Sequence, residues 1–217
     1  MKLRHYIILL ITSAILASCG GAKLSVADEQ MARGEYFDAA KTYRKVYNKL
    51  TKKEDRPLRG EVAFKMAECH RKLSQSARAS AAYQNSIRYG NSDSTAHLHL
   101  AQMLHAEGKY VPAIKEYETY LEVDPENDLA AEGLAGAKIA AQKLPSTRYV
   151  VKNFKLINSR RADYAPMFLD KTMQQLYYTT TNEKVTGTGK SQITGMKNGD
   201  IWVMKKNEKN EWTKPEP

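Results

Sequence analysis

The sequence has no uninterrupted apolar stretch long enough to cross a bilayer. Its main apolar run, from Tyr6 to Ala17, holds about a dozen residues, whereas a membrane-spanning helix needs about 20. Lys2, Arg4 and His5 precede this run, an order typical of a secretory signal. The start of the chain is therefore predicted to direct export and to lie outside the folded protein.

Cysteine is also scarce, because the chain has only Cys19 and Cys69. The motif Leu16-Ala17-Ser18-Cys19 resembles the lipobox of bacterial lipoproteins, in which the signal is cleaved before an acylated cysteine. The alternative is an ordinary signal with a chance cysteine. The resemblance implies lipidation of Cys19 and, since Gly20 rather than Asp follows, an outer-membrane anchor facing the periplasm. Cys69 is then alone, which excludes an intramolecular disulfide and favours a buried thiol.

Carboxylates are fewer than cations, 24 against 34, which leaves a net charge of +10. Residues 20–90 carry 15 basic and 8 acidic side chains, whereas residues 91–147 carry 4 and 9. We therefore expect an electropositive first end and an electronegative last end. A basic chain suggests nucleic acid, but an export signal favours anionic lipid, cell-wall polymer or an acidic protein instead.

The region from Ser94 to Pro125 has the spacing of a helix hairpin. Its apolar positions recur every three or four residues on either side of Gly108. The order of Gly108, Ala113 and Tyr117, closed by Pro125, resembles a tetratricopeptide repeat. Since one hairpin of this kind cannot bury its own apolar face, the resemblance implies further copies stacked beside it.

Two further copies precede this hairpin, at offsets of about 34 and then about 40 residues. Their equivalent positions are Ser74, Ala79 and Tyr83 in the second copy, and Gly34, Ala39 and Tyr43 in the first. A charged loop from Thr51 to Pro57 is predicted to hold the extra residues. The segment from Asp128 to Leu144 predicts a capping helix. The expected fold is mainly α: a signal (1–18), a lipidated tether (19–23) and a tetratricopeptide-repeat α-solenoid (24–144).

In stacks of this kind the first helix of each hairpin lines the concave side. This geometry predicts a groove for a protein partner, lined by Asp28, Met31, Phe64, Glu68, Arg71, Lys72, Leu98, Gln102 and His105. Phe64 and Leu98 would hold an apolar anchor, where carboxylate-gripping co-chaperones of this class need lysines. Capture of a helix or of an extended peptide therefore stays open. The alternative is a set of exposed positions without a ligand.

After Pro145 the pattern changes to short segments rich in β-branched and aromatic residues. The predicted strands are Tyr149 to Phe154, Pro166 to Leu169, Gln175 to Thr181 and Asp200 to Lys205. The motifs that begin at Ala162, Leu176, Gly199 and Trp212 resemble one blade of the WD40-like (PD40) repeat of bacterial periplasmic β-propellers. Propellers need about four to eight blades, so residues 145–217 imply a fragment of a longer protein or a sheet supported by the helices or by a partner.

A lipobox, three repeats and an opening blade, in this order, resemble the N-terminal part of OmpA-family outer-membrane proteins, which include the peptidoglycan-anchoring component of the type IX secretion system. The resemblance implies a periplasmic scaffold that docks envelope proteins. Peptidoglycan would be bound only by a domain absent from this sequence. The alternative is an accessory that captures a glycan or peptide for an outer-membrane transporter.

Catalytic chemistry is not indicated, because no nucleophile, base and orienting acid occur in a recognisable context. The chain is expected to be no enzyme and to need no cofactor. His97, His99 and His105 suggest a metal site, but residues two apart on a helix point in different directions. Packing roles are favoured for these histidines, and no metal is expected.

Overall fold

The computed structural model describes residues 24–91, 93–142 and 150–217. It divides into a helical unit, up to Pro145, and a β unit, from Ser146 onward. The predictions for the signal (1–18), for lipidated Cys19 and for the tether (19–23) lie outside the described residues, as does the predicted helix end at Leu144.

The described part of the first unit contains seven helices, each joined to the next by a short connection. They are α1 (24–32), α2 (Tyr36–Tyr47), α3 (Arg56–Lys72), α4 (Ser76–Arg88), α5 (Thr95–Ala106), α6 (Tyr110–Leu121) and α7 (Asp128–Ala141). From α2 onward each helix packs against its successor in the chain, and α1 is held to α2 by side-chain hydrogen bonds. The predicted stack of three helix hairpins and a final helix is confirmed.

The three tight turns inside the hairpins share one backbone geometry. Gly34, Ser74 and Gly108 have φ values of 76°, 54° and 73°. In each turn the next residue donates its N–H to a carbonyl five positions back, at 2.9 Å. This Schellman arrangement ends the first helix of each hairpin. Ser74 therefore occupies a left-handed position that favours glycine, as its alignment with Gly108 predicts.

The apolar stripes of the helices meet in one hydrophobic core. Its fully buried side chains include Tyr43, Tyr83, Leu100 and Cys69, and small alanines at the helix crossings allow close approach. Cys69 is a buried free thiol, as predicted. The loop prediction is wrong at its end, because α3 begins at Arg56 and includes Pro57 in its first turn. Proline suits that position, since the first N–H groups of a helix have no helical partner.

The β unit is a three-stranded antiparallel sheet in the order β1 (Asp163–Phe168), β2 (Gln175–Thr180) and β3 (Asp200–Lys205). Ala165, with φ of 52°, accompanies a register shift in β1. Isolated bridges join Lys206 to Trp212 and Val203 to Glu216 beyond β3. Tyr178, Trp202 and Met204 form the buried core of the sheet.

The predicted strand from Tyr149 to Phe154 is not observed in its described part. Residues 150–154 are irregular, and Val151 is 95% exposed. β-branched residues favour a strand only where a neighbouring strand pairs with them and covers one face, and none of the described strands pairs with residues 150–154. In the described part of the chain, no helix is long and apolar enough to cross a membrane.

Candidate functional site

The first hairpin joins to the second through an acidic, a phenolic and a basic side chain. The Tyr43 hydroxyl donates to Asp28 Oδ1 at 2.6 Å, and Lys65 Nζ donates to the same oxygen at 3.0 Å. Asp28 lies on α1, Tyr43 on α2 and Lys65 on α3, which makes the contact a link between successive hairpins. Burial lowers the pKa of Lys65, but the hydrogen bonds to Asp28 and Glu61 outweigh it and raise the pKa overall.

The same arrangement recurs between the second and third hairpins. Glu68, equivalent to Asp28, accepts a hydrogen bond from the Tyr83 hydroxyl, and His99 Nδ1 lies 2.8 Å from Glu68 Oε1. That His99 contact has ion-pair distance without hydrogen-bond alignment. Arg71 Nη2 donates to Glu68 Oε2 at 2.7 Å. Burial by itself raises the pKa of Glu68, but His99, Arg71 and Tyr83 together hold it well below its usual value.

The third set departs from this pattern. The equivalent positions hold Gln102 on α5, Tyr117 on α6 and Gly133 on α7. A Cβ atom on Gly133 would lie 2.5 Å from Tyr117 Cζ, so the tyrosine ring occupies the space of the missing side chain. Within the described residues neither the Tyr117 hydroxyl nor the Gln102 side-chain amide forms a hydrogen bond. Burial raises the pKa of Tyr117, which keeps its hydroxyl protonated as a donor.

The predicted groove residues fall into two groups. Glu68 and Leu98 are 8% and 6% exposed, and Leu98 belongs to the hydrophobic core. Their roles as open groove contacts are not supported, because a partner would find little of their surface. The remaining predicted residues are half-buried or exposed: Asp28, Met31, Phe64, Arg71, Lys72, Gln102 and His105.

The open residues do not all have the same surroundings. Phe64 packs edge-on against Tyr83, and His105 packs edge-on against Tyr110 and Tyr117. Arg71 is paired with Glu68, whereas exposed Lys72 forms no ion pair in the part of the chain that the structure describes. Among the described residues, the side chains of Lys72 and Gln102 are thus two polar groove positions with free hydrogen-bonding capacity.

The sequence predictions do not include the two polar sets, Asp28 with Tyr43 and Lys65, and Glu68 with Tyr83 and His99. The sequence nevertheless contains a signal for them. Tyr43 and Tyr83 are 40 residues apart, as are Asp28 and Glu68, whereas Lys65 and His99 are 34 residues apart. When the sequence is aligned with itself at these offsets, the two acidic residues coincide and so do the two basic residues. Only the structure shows that the three positions meet, because they lie on three different helices.

No family model matches the chain, and no curated protein matches it. Among solved structures, the chain is similar to the first TPR domain of human RPAP3 at 20% identity, covering 57% of this chain and 92% of that one, with a TM-score of 0.45. A structure of the first TPR of Spaghetti (RPAP3) bound to HSP90 peptide SRMEEVD matches at 21% identity, 56% and 91% coverage and a TM-score of 0.47. The Sgt2 TPR domain from Aspergillus fumigatus matches at 18% identity, 62% and 89% coverage and a TM-score of 0.45.

Proposed function

We propose that the helical unit is a docking module that holds a protein partner in its groove. The observation that supports this proposal is the break in the polar sets. In two sets the tyrosine hydroxyl donates to a carboxylate of the protein, whereas in the third the Tyr117 hydroxyl and the Gln102 side chain, beside the ring of His105, have no hydrogen-bond partner among the described residues. A partner segment can supply the missing hydrogen bonds there, with exposed Lys72 available to one of its carboxylates.

We further propose that this module belongs to a lipoprotein anchored to the outer membrane and facing the periplasm. The apolar run ahead of Cys19 and the lipobox motif support this location. The type IX secretion machinery, linked to peptidoglycan by a separate domain, is the envelope complex that the order of motifs favours. The antiparallel sheet, extended beyond β3 by the bridges to Trp212 and Glu216, is compatible with a propeller blade that adds a second docking face.

Site-specific photo-crosslinking tests the docking site. A photoreactive amino acid is placed at Lys72 or at Gln102 in the groove, and at exposed Lys45 on α2 as the control. Irradiation of cells should link the same envelope protein to positions 72 and 102 and leave position 45 unlinked. Equal crosslinking at all three positions would refute a specific groove.

Two further measurements test the remaining parts of the proposal. Palmitate labelling should be lost in Cys19→Ala, and continued labelling of that variant would refute the lipid anchor. If groove variants leave envelope complexes intact but reduce uptake of a glycan or peptide, the chain is an accessory of a transporter rather than a scaffold.

A further inference from the structure

A cleft of about 540 Å³ lies between α2 and α4, with α3 as its floor. Buried Ala40 on α2, Met66 on α3 and Ala82 on α4 make the base of the cleft apolar. Lys41 and Arg44 on α2 and Arg78 on α4 line the cleft from opposite walls. The cleft is therefore an apolar trough with cations on both sides.

This cleft is on a different face from the groove. Helix α3 contributes Met66 and His70 to the cleft, and Phe64 and Glu68 to the groove side. Residues two positions apart on an α-helix point about 200° apart, because each residue turns the helix by about 100°. The two surfaces thus lie on nearly opposite sides of α3, and one can be occupied without the other.

The cations of the cleft have no carboxylate among the residues that line it. Lys41 and Arg44 form no ion pair within the described ranges, and Arg78 donates only to Gln75 Oε1, at 3.1 Å. His70 Nδ1 lies 2.9 Å from the same oxygen. The pKa of His70 is lowered, first by burial and then by the positive charges of Arg78 and Arg44. The interior of the cleft is therefore electropositive.

The repeat framework does not require these cations. At the equivalent positions of the following repeat, Lys41 is replaced by Ala81, Arg44 by Gln84 and Arg78 by Pro112. The position of His70 is taken there by buried Leu104. Hairpins of the same fold therefore stack without cations at these positions. We attribute the convergence of Lys41, Arg44 and Arg78 on one cleft to the binding of a ligand.

We propose that this cleft binds an acidic peptide segment of a partner protein, with one apolar side chain on the floor and carboxylates against Arg44 and Arg78. Arg pairs with carboxylates in bidentate geometry, and the lack of internal carboxylates leaves both guanidinium groups available. The amides of Asn48, Gln75 and Asn85 also line the cleft and can pair with a peptide backbone. A compact phosphate would leave the apolar floor and these amides unused, which favours a peptide over a headgroup.

Fluorescence anisotropy tests the proposal with the purified full chain. The probes are labelled synthetic peptides of about a dozen residues, rich in Glu, with a single Leu at varied positions. Matched peptides carry Ser for Leu or Lys for Glu. The Glu/Leu peptides should bind, the Ser version should bind more weakly, and the Lys version should not bind.

Charge reversal identifies the site. Arg44→Glu with Arg78→Glu should weaken binding at least tenfold, since two charge-assisted contacts become repulsive. Lys45→Glu with Arg88→Glu makes the same charge change on the same two helices, at exposed positions outside the cleft, and should change affinity less than threefold, by screened long-range effects only. Peptide binding should also raise the His70 pKa in an NMR titration, because bound carboxylates stabilise the imidazolium.

The proposal is overturned if no Glu/Leu peptide binds, or if the two double variants lose affinity equally. It is also overturned if phosphatidylglycerol vesicles bind through Arg44 and Arg78 while the peptides do not, which would assign the cleft to anionic lipid. If the chain alone self-associates in sedimentation velocity and Arg44→Glu with Arg78→Glu abolishes this, the occupant is a second copy rather than a partner. Each of these results leaves the groove proposal intact, because the crosslinking positions lie outside the cleft.

Discussion

Replacement of two glycines in α7 tests how closely the last helix packs against α6. Gly133 and Gly136 lie one turn apart in the interior of the same helix. A Cβ atom on Gly133 would lie 2.5 Å from Tyr117 Cζ and 2.7 Å from its Oη, whereas one on Gly136 would lie 3.4 Å from His105 Cε1. Both distances at Gly133 are too short for a real contact, whereas the distance at Gly136 is an ordinary van der Waals contact.

The two substitutions share one favourable effect and differ in one unfavourable effect. Alanine is preferred over glycine in a helix interior by about 1 kcal/mol, and this gain is the same at both sites. At Gly133 the new methyl group must displace the ring of Tyr117, which is 2% exposed and has little room to move. Overpacking of a filled core typically costs about 1–3 kcal/mol. We therefore expect Gly133→Ala to be less stable than Gly136→Ala by about 1–3 kcal/mol.

Urea unfolding followed by far-UV circular dichroism measures this difference. Comparison of the two variants, rather than of each with wild type, cancels the helix propensity. Tyr117→Leu, which removes the ring tip, should reduce the penalty of Gly133→Ala in a double-mutant cycle. If Gly133→Ala is as stable as Gly136→Ala, the proposed contact between α6 and α7 is wrong.

Three further predictions follow from single residues. Ser74→Gly should raise the free energy of unfolding by about 0.5–1 kcal/mol, because the left-handed backbone there favours glycine, and unchanged or lower stability in urea would contradict this. The pKa of Glu68 is lowered in the folded protein, so the stability that this carboxylate contributes is present above its usual pKa of 4.5 and is lost as the pH falls toward the folded pKa. Wild type should therefore lose more stability than Glu68→Gln between about pH 5 and about pH 3. Equal losses would argue against this linkage. Burial, followed by the charge of Glu68, raises the pKa of the Cys69 thiol to about 12. In a variant with Cys19 replaced, a thiol reagent should therefore label Cys69 only in urea. Rapid labelling of the folded protein would disprove this prediction.

The hairpins could be predicted from the sequence because their signals are local. Gly34 and Gly108 occur at repeat-spaced positions where one residue must adopt a positive φ, and the equivalent Ser74 does so without being glycine. The small and aromatic core positions, such as Ala79 and Tyr83, follow the helical period and are fully buried. Three of the four predicted strands are present for a similar reason, since residue type and turns bound β2 and β3 to within one residue. The predicted bounds of β1 are wrong, because this strand begins at Asp163 rather than Pro166 and ends at Phe168.

Failures occur where the outcome depends on a partner elsewhere in the chain. The β-branched segment at Val150 and Val151 has strand composition but forms no strand, because none of the strands that the structure describes pairs with it. The helix position of Leu98 predicts a groove role, yet its side chain is buried in the hydrophobic core. Its burial reflects the packing of several helices, which the period of one helix does not contain.

The sequence by itself determined the number of hairpins, the left-handed turn in each, and the positions that face the core, since one turn residue or one helical period specifies each of these. Only the tertiary structure decided which charges are neutralised and which remain free. Asp28 and Lys65 become an ion pair because successive hairpins bring them together, whereas the cations of the cleft converge with no carboxylate among the residues that line it. Charge pairing depends on distances between side chains from separate repeats, and those distances exist only once the helices have packed.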